Sequence, residues 1–193
     1  GDRIVTQYDM YTVGEDGVGL LKMDFLGLRN LTIMSQALSF IKDVAGRDIN
    51  LDTIPLDDQK TYTLLSSGET TGLFQLESSG MRRYIKDLKP SSIFDLMAMV
   101  ALFRPGPMQV IPEFIRRKHN PALITYPDPR LKDVLAQSYG IICYQDDVLL
   151  TAIKLGGYSW LEADTLRKAM GKKIPKVMQA EKEKLIKGFI EYG

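Results

Sequence analysis

Two sets of charged side chains in this sequence could take part in phosphate chemistry, and the first lies near its start. Asp24 and Lys22 belong to an apolar segment, 18–25, whose composition predicts a β-strand between Gly17 and Gly27. Residues two apart on a strand share a face, so both side chains would enter one space. A carboxylate there would suit magnesium, which takes oxygen ligands from a few carboxylates and from substrate phosphates. An ion pair on an exposed strand face is the alternative, and the spacing alone favours it.

A complete two-metal site is not expected from these residues. Such a site holds two ions ~3.5–4 Å apart and needs several carboxylates around them. The sequence contains no strand with aspartates at alternate positions, and its adjacent aspartate pairs, 57–58 and 146–147, would point apart. If Asp24 binds metal, it can therefore be only one ligand of a larger metal centre.

The second set is a basic cluster at the end of a predicted helix. Arg167, Lys168, Lys172 and Lys173 lie within seven residues. Together they make a compact positive surface suited to a triphosphate or a nucleic-acid backbone. A purely structural explanation also stands, because basic residues at a helix C-terminus complement the helix dipole, and Asp164 is spaced to pair with the first two of them.

A further basic run, Arg116, Arg117 and Lys118, precedes a proline-rich loop and is a candidate nucleic-acid contact. The charged end of a solvated helix would explain this run equally well. Arg82 and Arg83 are candidates for the same surface, with the neighbouring tyrosine as a stacking partner, although such neighbours are common on ordinary helices.

Composition and charge narrow the class of protein. The chain is 45% hydrophobic and 25% charged, which is typical of a globular domain and excludes disordered and collagen-like chains. Its single cysteine forbids an internal disulfide, its single histidine argues against a zinc site, and no apolar run is long enough to cross a bilayer. Residues 1–80 carry 6 basic and 12 acidic side chains, whereas residues 81–193 carry 19 and 12. The second part would suit a phosphate-bearing partner, although ordinary scatter of surface charge gives similar imbalances.

Hydrophobic periodicity and capping residues place these side chains on a mostly helical body. Capping boxes are predicted at Ser92 and Ser159. The predicted strands are 18–25 and a shorter segment, 141–144. The predicted helices cover 30–45, 57–65, 78–88, 92–103, 112–119, 145–155, 159–170 and 175–192. The expected fold class is therefore α+β, predominantly α-helical, with a strand at the front end.

Six segments, in order, resemble one family: the alpha subunit of bacterial DNA polymerase III, the family C replicative DNA polymerase. The matching segments are Lys22 to Arg29, Ile54 to Asp58, Glu69 to Ser78, Val100 to Pro107, Tyr139 to Gln145 and Leu166 to Lys173. Each alone would be a weak match, but six in the family's order are specific.

The resemblance implies a place for each part of the chain. Residues 1–29 would be the end of the catalytic palm, with one active-site strand, and residues 30–193 the N-terminal portion of the fingers. Asp24 takes the position of the third metal-binding aspartate of the palm. Lys22 takes that of a palm lysine that approaches the active site and the substrate phosphates.

The basic cluster acquires a role from the same resemblance. Arg167 and Lys168 fall on the paired basic positions that meet the triphosphate of the incoming nucleotide, and Lys172 and Lys173 lie beside them. The family often has arginine at both paired positions, so Lys168 replaces a bidentate fork with a point charge. Asp146 also departs from the family pattern, in which a glutamate commonly follows the tyrosine–glutamine pair.

As a function, the resemblance implies a fragment of a DNA-directed DNA polymerase that adds nucleotides to a primer 3′-hydroxyl by a two-magnesium mechanism. Its substrates would be primer–template DNA and deoxynucleoside triphosphates. Its partners would be a sliding clamp, a proofreading exonuclease and a clamp loader, reached through regions outside this chain, in the cytoplasm and away from membranes. Because the chain opens at Gly1 without a methionine and stops after a helical stretch, we expect a cut piece that is inactive alone.

Two hypotheses from other classes stay open at this point. A non-catalytic helical module could bind nucleic acid through the basic second part of the chain. A purely structural helical domain would bind neither nucleotide nor DNA.

Overall fold

The computed structural model describes residues 2–14, 17–21, 23, 25–172 and 175–192, without the side chain of Lys172. The chain divides into two compact units, residues 1–53 and residues 54–193. The predicted α+β class is wrong, because the described residues form helices and no strand occurs among them. None of these helices is long and apolar enough to span a membrane.

The helices of the first unit are α1 (Met10–Val13) and α2 (Arg29–Ala45). Those of the second unit are α3 (Gln59–Ser67), α4 (Ser79–Leu88), α5 (Ile93–Leu102), α6 (Ile111–His119), α7 (Lys132–Leu135), α8 (Gln145–Gly156), α9 (Trp160–Lys172) and α10 (Pro175–Tyr192). Short 3-10 turns lie at Leu51–Thr53, Pro107–Val110, Pro121–Leu123, Pro129–Leu131 and Ala136–Ser138.

The first predicted strand, 18–25, is not formed in its described part. The backbone N–H groups of Val18, Gly19 and Leu20 donate to carbonyl groups of residues 12 to 14. A strand is stabilised by a ladder of hydrogen bonds to a neighbouring strand, and the described residues offer no such neighbour. The composition of the segment is typical of a strand, but a local turn satisfies these backbone N–H groups instead.

In the first unit, α2 ends as predicted and begins differently. Gly46 closes it in the left-handed conformation, with φ 62°. The predicted start was residue 30, but the helix begins one residue before it, after Leu28 and without a side-chain cap. No residue of α2 is buried. Its exposed large apolar side chains are Leu31, Ile33, Met34, Phe40 and Val44.

The second unit contains the main core. α4 contributes Met81, Ile85 and Leu88, which recur at helical spacing and are buried. They pack with buried residues of α3, α5 and α6 and with Ile141. Phe114 is fully buried at the centre and meets the Tyr139 ring edge-on, with centroids 5.1 Å apart.

Helices α8, α9 and α10 pack against one another at the end of the second unit. Ala152, Tyr158, Ala163 and Leu166 form a separate apolar cluster there. α8 and α10 meet backbone to backbone, since a Cβ atom added at Gly188 would lie 2.2 Å from the Gly156 carbonyl oxygen. Both predicted capping boxes are confirmed, at Ser92 with Asp95 and at Ser159 with Glu162.

The second predicted strand, 141–144, is also wrong, and its backbone partners explain why. The Ile141 carbonyl accepts the Ser138 hydroxyl proton. The N–H groups of Cys143 and Tyr144 donate to the Asp147 carboxylate at 2.8 and 2.9 Å. Side chains from the flanking turn and from α8 therefore satisfy the groups that a strand would have paired with another strand.

Candidate functional site

A cleft in the second unit gathers segments that are far apart in the sequence. It has a volume of 340 Å³. The turn after α5, the segment before α8 and the end of α9 contribute its walls. The lining residues are Pro107, Ile142, Cys143, Tyr144, Gln145, Val148, Arg167, Met170 and Gly171.

Helix α9 presents Arg167 to this cleft from the edge of its buried face. Ala163 and Leu166 pack inward, so the next residue falls at the boundary between core and solvent. The Arg167 Nε and Nη2 atoms both donate to Asp164 Oδ1, at 2.8 and 2.7 Å. The side chain stays 40% exposed, so the guanidinium group is oriented and still open to a ligand.

Lys168 shares the same carboxylate. Its Nζ atom lies 3.1 Å from Asp164 Oδ2. Hydrogen bonds from Arg167 and then from Lys168 hold the pKa of Asp164 below the ordinary aspartate value. Both cations thus meet one carboxylate at the surface, and the half-exposed Arg167 guanidinium group also borders the cleft, where it can accept an anion.

The segment before α8 forms a rigid wall because Asp147 anchors it. This carboxylate is 5% exposed and holds the N–H groups of Cys143 and Tyr144. Burial raises the pKa of the Cys143 thiol to about 12, so the thiol stays protonated at neutral pH and is a poor nucleophile. The wall can therefore shape the cleft, but it does not supply a reactive group.

A buried carboxylate on α5 connects this segment to the rest of the core. The Tyr139 hydroxyl donates to Asp95 Oδ1 at 2.7 Å, and Asp95 is only 1% exposed. Asp95 also accepts the N–H groups of Ser91 and Ser92. Burial, more than the hydrogen bond, raises the pKa of Tyr139, which stays neutral. Sequence reasoning found Asp95 only as a capping residue, since nothing in its spacing pointed to a tyrosine 44 positions later.

The basic run of α6 is turned largely inward. Arg117 is 16% exposed and donates to Glu113 and to the carbonyls of Thr125 and Tyr139. The Lys118 Nζ atom lies 3.5 Å from Asp95 Oδ2, and its side chain is 10% exposed. Arg116 is mostly exposed and pairs with Glu113 at 2.7 Å. Contact between this run and nucleic acid stays a prediction. Its three residues already have partners within the chain.

The remaining candidates lie outside the described residues. These are Asp24, Lys22, Lys173 and the side chain of Lys172. Within the described ranges, no three histidine, cysteine, aspartate or glutamate side chains gather where they could hold a metal ion. The described residues alone therefore form no magnesium site.

A second cavity lies beside the cleft and shares Tyr144 with it. It has a volume of 450 Å³ and is bordered by α5, by Arg104 and by the segment 74–76. Gln75 adopts a φ of 62° there, which is uncommon for a residue other than glycine. The sequence identified this segment as part of a family motif. It could not predict a cavity there, because single turns carry no helical or strand periodicity.

Comparison with known proteins gives one family and a consistent set of relatives. The model of the bacterial DNA polymerase III alpha subunit finger domain matches residues 30–193. The DNA polymerase III subunit alpha of Aquifex aeolicus is 48% identical over 193 residues, which cover 99% of this chain and 16% of that protein. That of Thermus aquaticus is 46% identical over 196 residues, again 99% of this chain and 16% of the relative.

A third relative, the DNA polymerase III subunit alpha of Halalkalibacterium halodurans, is 44% identical over 193 residues, which is all of this chain and 17% of the relative. The chain thus spans about a sixth of the length of the curated relatives that it matches.

Proposed function

This chain belongs to the finger-domain family of the bacterial DNA polymerase III alpha subunit, and we propose that its cleft binds the triphosphate of an incoming deoxynucleotide. In this proposal the chain is a part of a replicative DNA-directed DNA polymerase that acts on primer–template DNA. Residues 1–29 would close the catalytic palm, and residues 30–193 would begin the fingers.

The observation that carries the proposal is the convergence of three motif segments. The segments 100–107, 139–145 and 166–173 resemble the polymerase family one by one, and described residues of all three line the same cleft. Arg167 is the cation that faces it. A packing role alone would explain the apolar lining residues, but it would not require a half-exposed guanidinium group at the cleft.

The chemistry proposed for these residues is electrostatic. Arg167 and Lys168 are positioned around Asp164, and a phosphate group would replace that carboxylate as their partner. Positive groups already in place stabilise the negative charge that develops on a leaving pyrophosphate, without reorganising during the reaction. Lys172 and Lys173 are proposed to extend the same surface.

Magnesium and the further partners belong to the complete polymerase in this proposal. Asp24 would be one magnesium ligand among carboxylates outside this chain, and Lys22 would lie near the phosphates. A sliding clamp, a proofreading exonuclease and a clamp loader would bind other regions, and the setting would be the cytoplasm. The chain alone would not extend a primer.

The test is a calorimetric titration of the full chain with dATP and with inorganic tripolyphosphate. Arg167→Gln removes one charge-assisted contact and should weaken binding of both ligands by about tenfold or more. Arg130→Gln is the matched control, because Arg130 is 43% exposed and also pairs with a nearby aspartate, but it lies outside the cleft.

Equal affinities for the two variants and the unsubstituted chain would contradict the triphosphate site. Binding of DNA without any binding of triphosphate would favour the non-catalytic nucleic-acid module. Extension of primed DNA by the chain alone would contradict its proposed incompleteness.

A further inference from the structure

Helix α4 carries a second basic surface that the cleft does not include. Ser79, Arg82, Arg83 and Lys86 line a surface concavity of 290 Å³. They stand at spacings of three and four, so they share one side of the helix. We call these four residues the α4 basic face.

The position of this face follows from the packing of the helix. Met81, Ile85 and Leu88 are buried in the main core, which turns the opposite side of α4 to the surface. Arg83 and Lys86 are exposed, and Arg82 is half-buried. The outward side of α4 has almost no apolar groups, so apolar packing does not account for the three cations there.

The cations are held in place by contacts that leave their charge available. The Arg82 Nε atom donates to the Gly68 carbonyl at 3.0 Å, and the Lys86 side chain lies over the same glycine. The Arg83 guanidinium carbon is 5.4 Å from the centre of the Tyr84 ring. These neighbours are a backbone carbonyl and an aromatic ring, and neither neutralises a positive charge.

None of the three cations forms an ion pair with a carboxylate among the described residues. Asp87 stands at the edge of the face, next in sequence to Lys86, and is exposed without such a pair. The α6 run is the contrast, since Arg116, Arg117 and Lys118 all pair with carboxylates. The α4 basic face thus keeps a local charge that the α6 run has lost.

We infer that the α4 basic face binds the phosphate backbone of a nucleic-acid strand. From Arg82 to Lys86 the helix rises by about 6 Å. Projected on the axis of a duplex, the phosphates of one strand recur about every 3.4 Å. Because arginine and lysine side chains are long, three cations over that rise can spread to meet more than one phosphate. Arginine forks match phosphate oxygens in pairs. The choice of nucleic acid over an acidic peptide rests on the proposed function.

The experiment measures binding of a fluorescent single-stranded oligonucleotide to the full chain across a salt series. The triple variant Arg82→Gln, Arg83→Gln, Lys86→Gln should lower the slope of log affinity against log salt by about 2, at about 0.7 for each lost phosphate contact. The control variant Lys42→Gln, Arg130→Gln, Lys184→Gln also removes three positive charges, but from ion-paired surface sites, and it should leave the slope unchanged.

A second variant guards against loss of folding. Arg83→Gln alone changes an exposed side chain, and it should lower the slope by about 0.7 while the circular dichroism melt stays unchanged. An unchanged slope in both α4 variants overturns the inference, and so does failure of the unsubstituted chain to bind the oligonucleotide.

Poly-glutamate competing at equal affinity would overturn phosphate recognition and indicate an acidic partner. The dATP titration of the Arg167 variant is independent of these results, so failure of the proposed function is recognised separately.

Discussion

The ends of α6 and α9 carry similar basic runs and use them in opposite ways. In α6, Arg117 and Lys118 are 16% and 10% exposed and bind groups inside the second unit. In α9, Arg167 and Lys168 are 40% and 43% exposed and share a carboxylate of their own helix. The α6 cations therefore hold the fold together, whereas the half-exposed Arg167 guanidinium group of α9 borders the cleft.

The difference comes from what lies next to each helix end. Beside α6 stand the buried Asp95 carboxylate and the carbonyls of Thr125 and Tyr139, which need donors once they are removed from water. Beside Arg167 is the cleft. A basic run at a helix end thus says little about function until its surroundings are known.

The comparison would be tested most severely by removing the buried cation of α6. Lys118→Met leaves Asp95 buried without its ion partner, and we expect it to lower the free energy of unfolding by about 3 kcal/mol or more. Arg167→Gln should lower it by less than about 1 kcal/mol, because that ion pair is exposed to solvent. Urea unfolding of both variants at neutral pH provides the measurement. Similar losses in the two variants would show that the two helix ends do not differ as described.

A milder change addresses the shape of the cation in α6. Arg117→Lys keeps the charge but cannot reach Glu113, the Thr125 carbonyl and the Tyr139 carbonyl at once, so we expect a loss of about 1–2 kcal/mol in unfolding free energy. Thermal unfolding followed by circular dichroism should detect it. Arg116→Lys, on the exposed neighbour, is the control and should change little. An unchanged free energy of unfolding in Arg117→Lys would contradict the proposed structural role of the Arg117 guanidinium group.

The smallest expected effect is a difference in titration between the two carboxylate partners. Bonds to the basic residues lower the pKa of both Glu113 and Asp164 from 4.5 and 3.8. Each pair therefore contributes stability above those ordinary values and loses it as pH falls through the lower folded value. Adding tripolyphosphate should raise the pKa of Asp164, whose cations turn to the phosphate, and leave that of Glu113 unchanged. Side-chain carboxyl NMR titrations check this, and parallel shifts would contradict it.

Sequence reasoning succeeded where the determinants are local. The capping box at Ser92 and the glycine after α2 depend on neighbouring residues, and both are as predicted. The two strand predictions were wrong because a strand depends on hydrogen bonds to a neighbouring strand, which can be far away in the sequence. Residues 141–144 have an apolar, β-branched composition, yet Asp147 supplies the partner for their N–H groups.

The same distinction between local and tertiary determinants applies to the residues of the candidate site. Arg167 was identified from a basic cluster and a family resemblance, and the structure places it at the cleft. That Lys118 reaches Asp95 could not be predicted, because the two residues are far apart in sequence and meet only through tertiary packing. The metal candidate, Asp24, remains a prediction from the sequence.

The contact between Gly156 and Gly188 bears on how α9 can vary. Where side chains separate two helices, a larger or smaller residue can be absorbed by a change of rotamer. Here two main chains are in van der Waals contact, so the close approach of α8 and α10 leaves no space for a side chain at this point. α9 packs against both helices. A side chain larger than hydrogen at position 156 or 188 would therefore force α8 and α10 apart and displace the helix that carries Arg167.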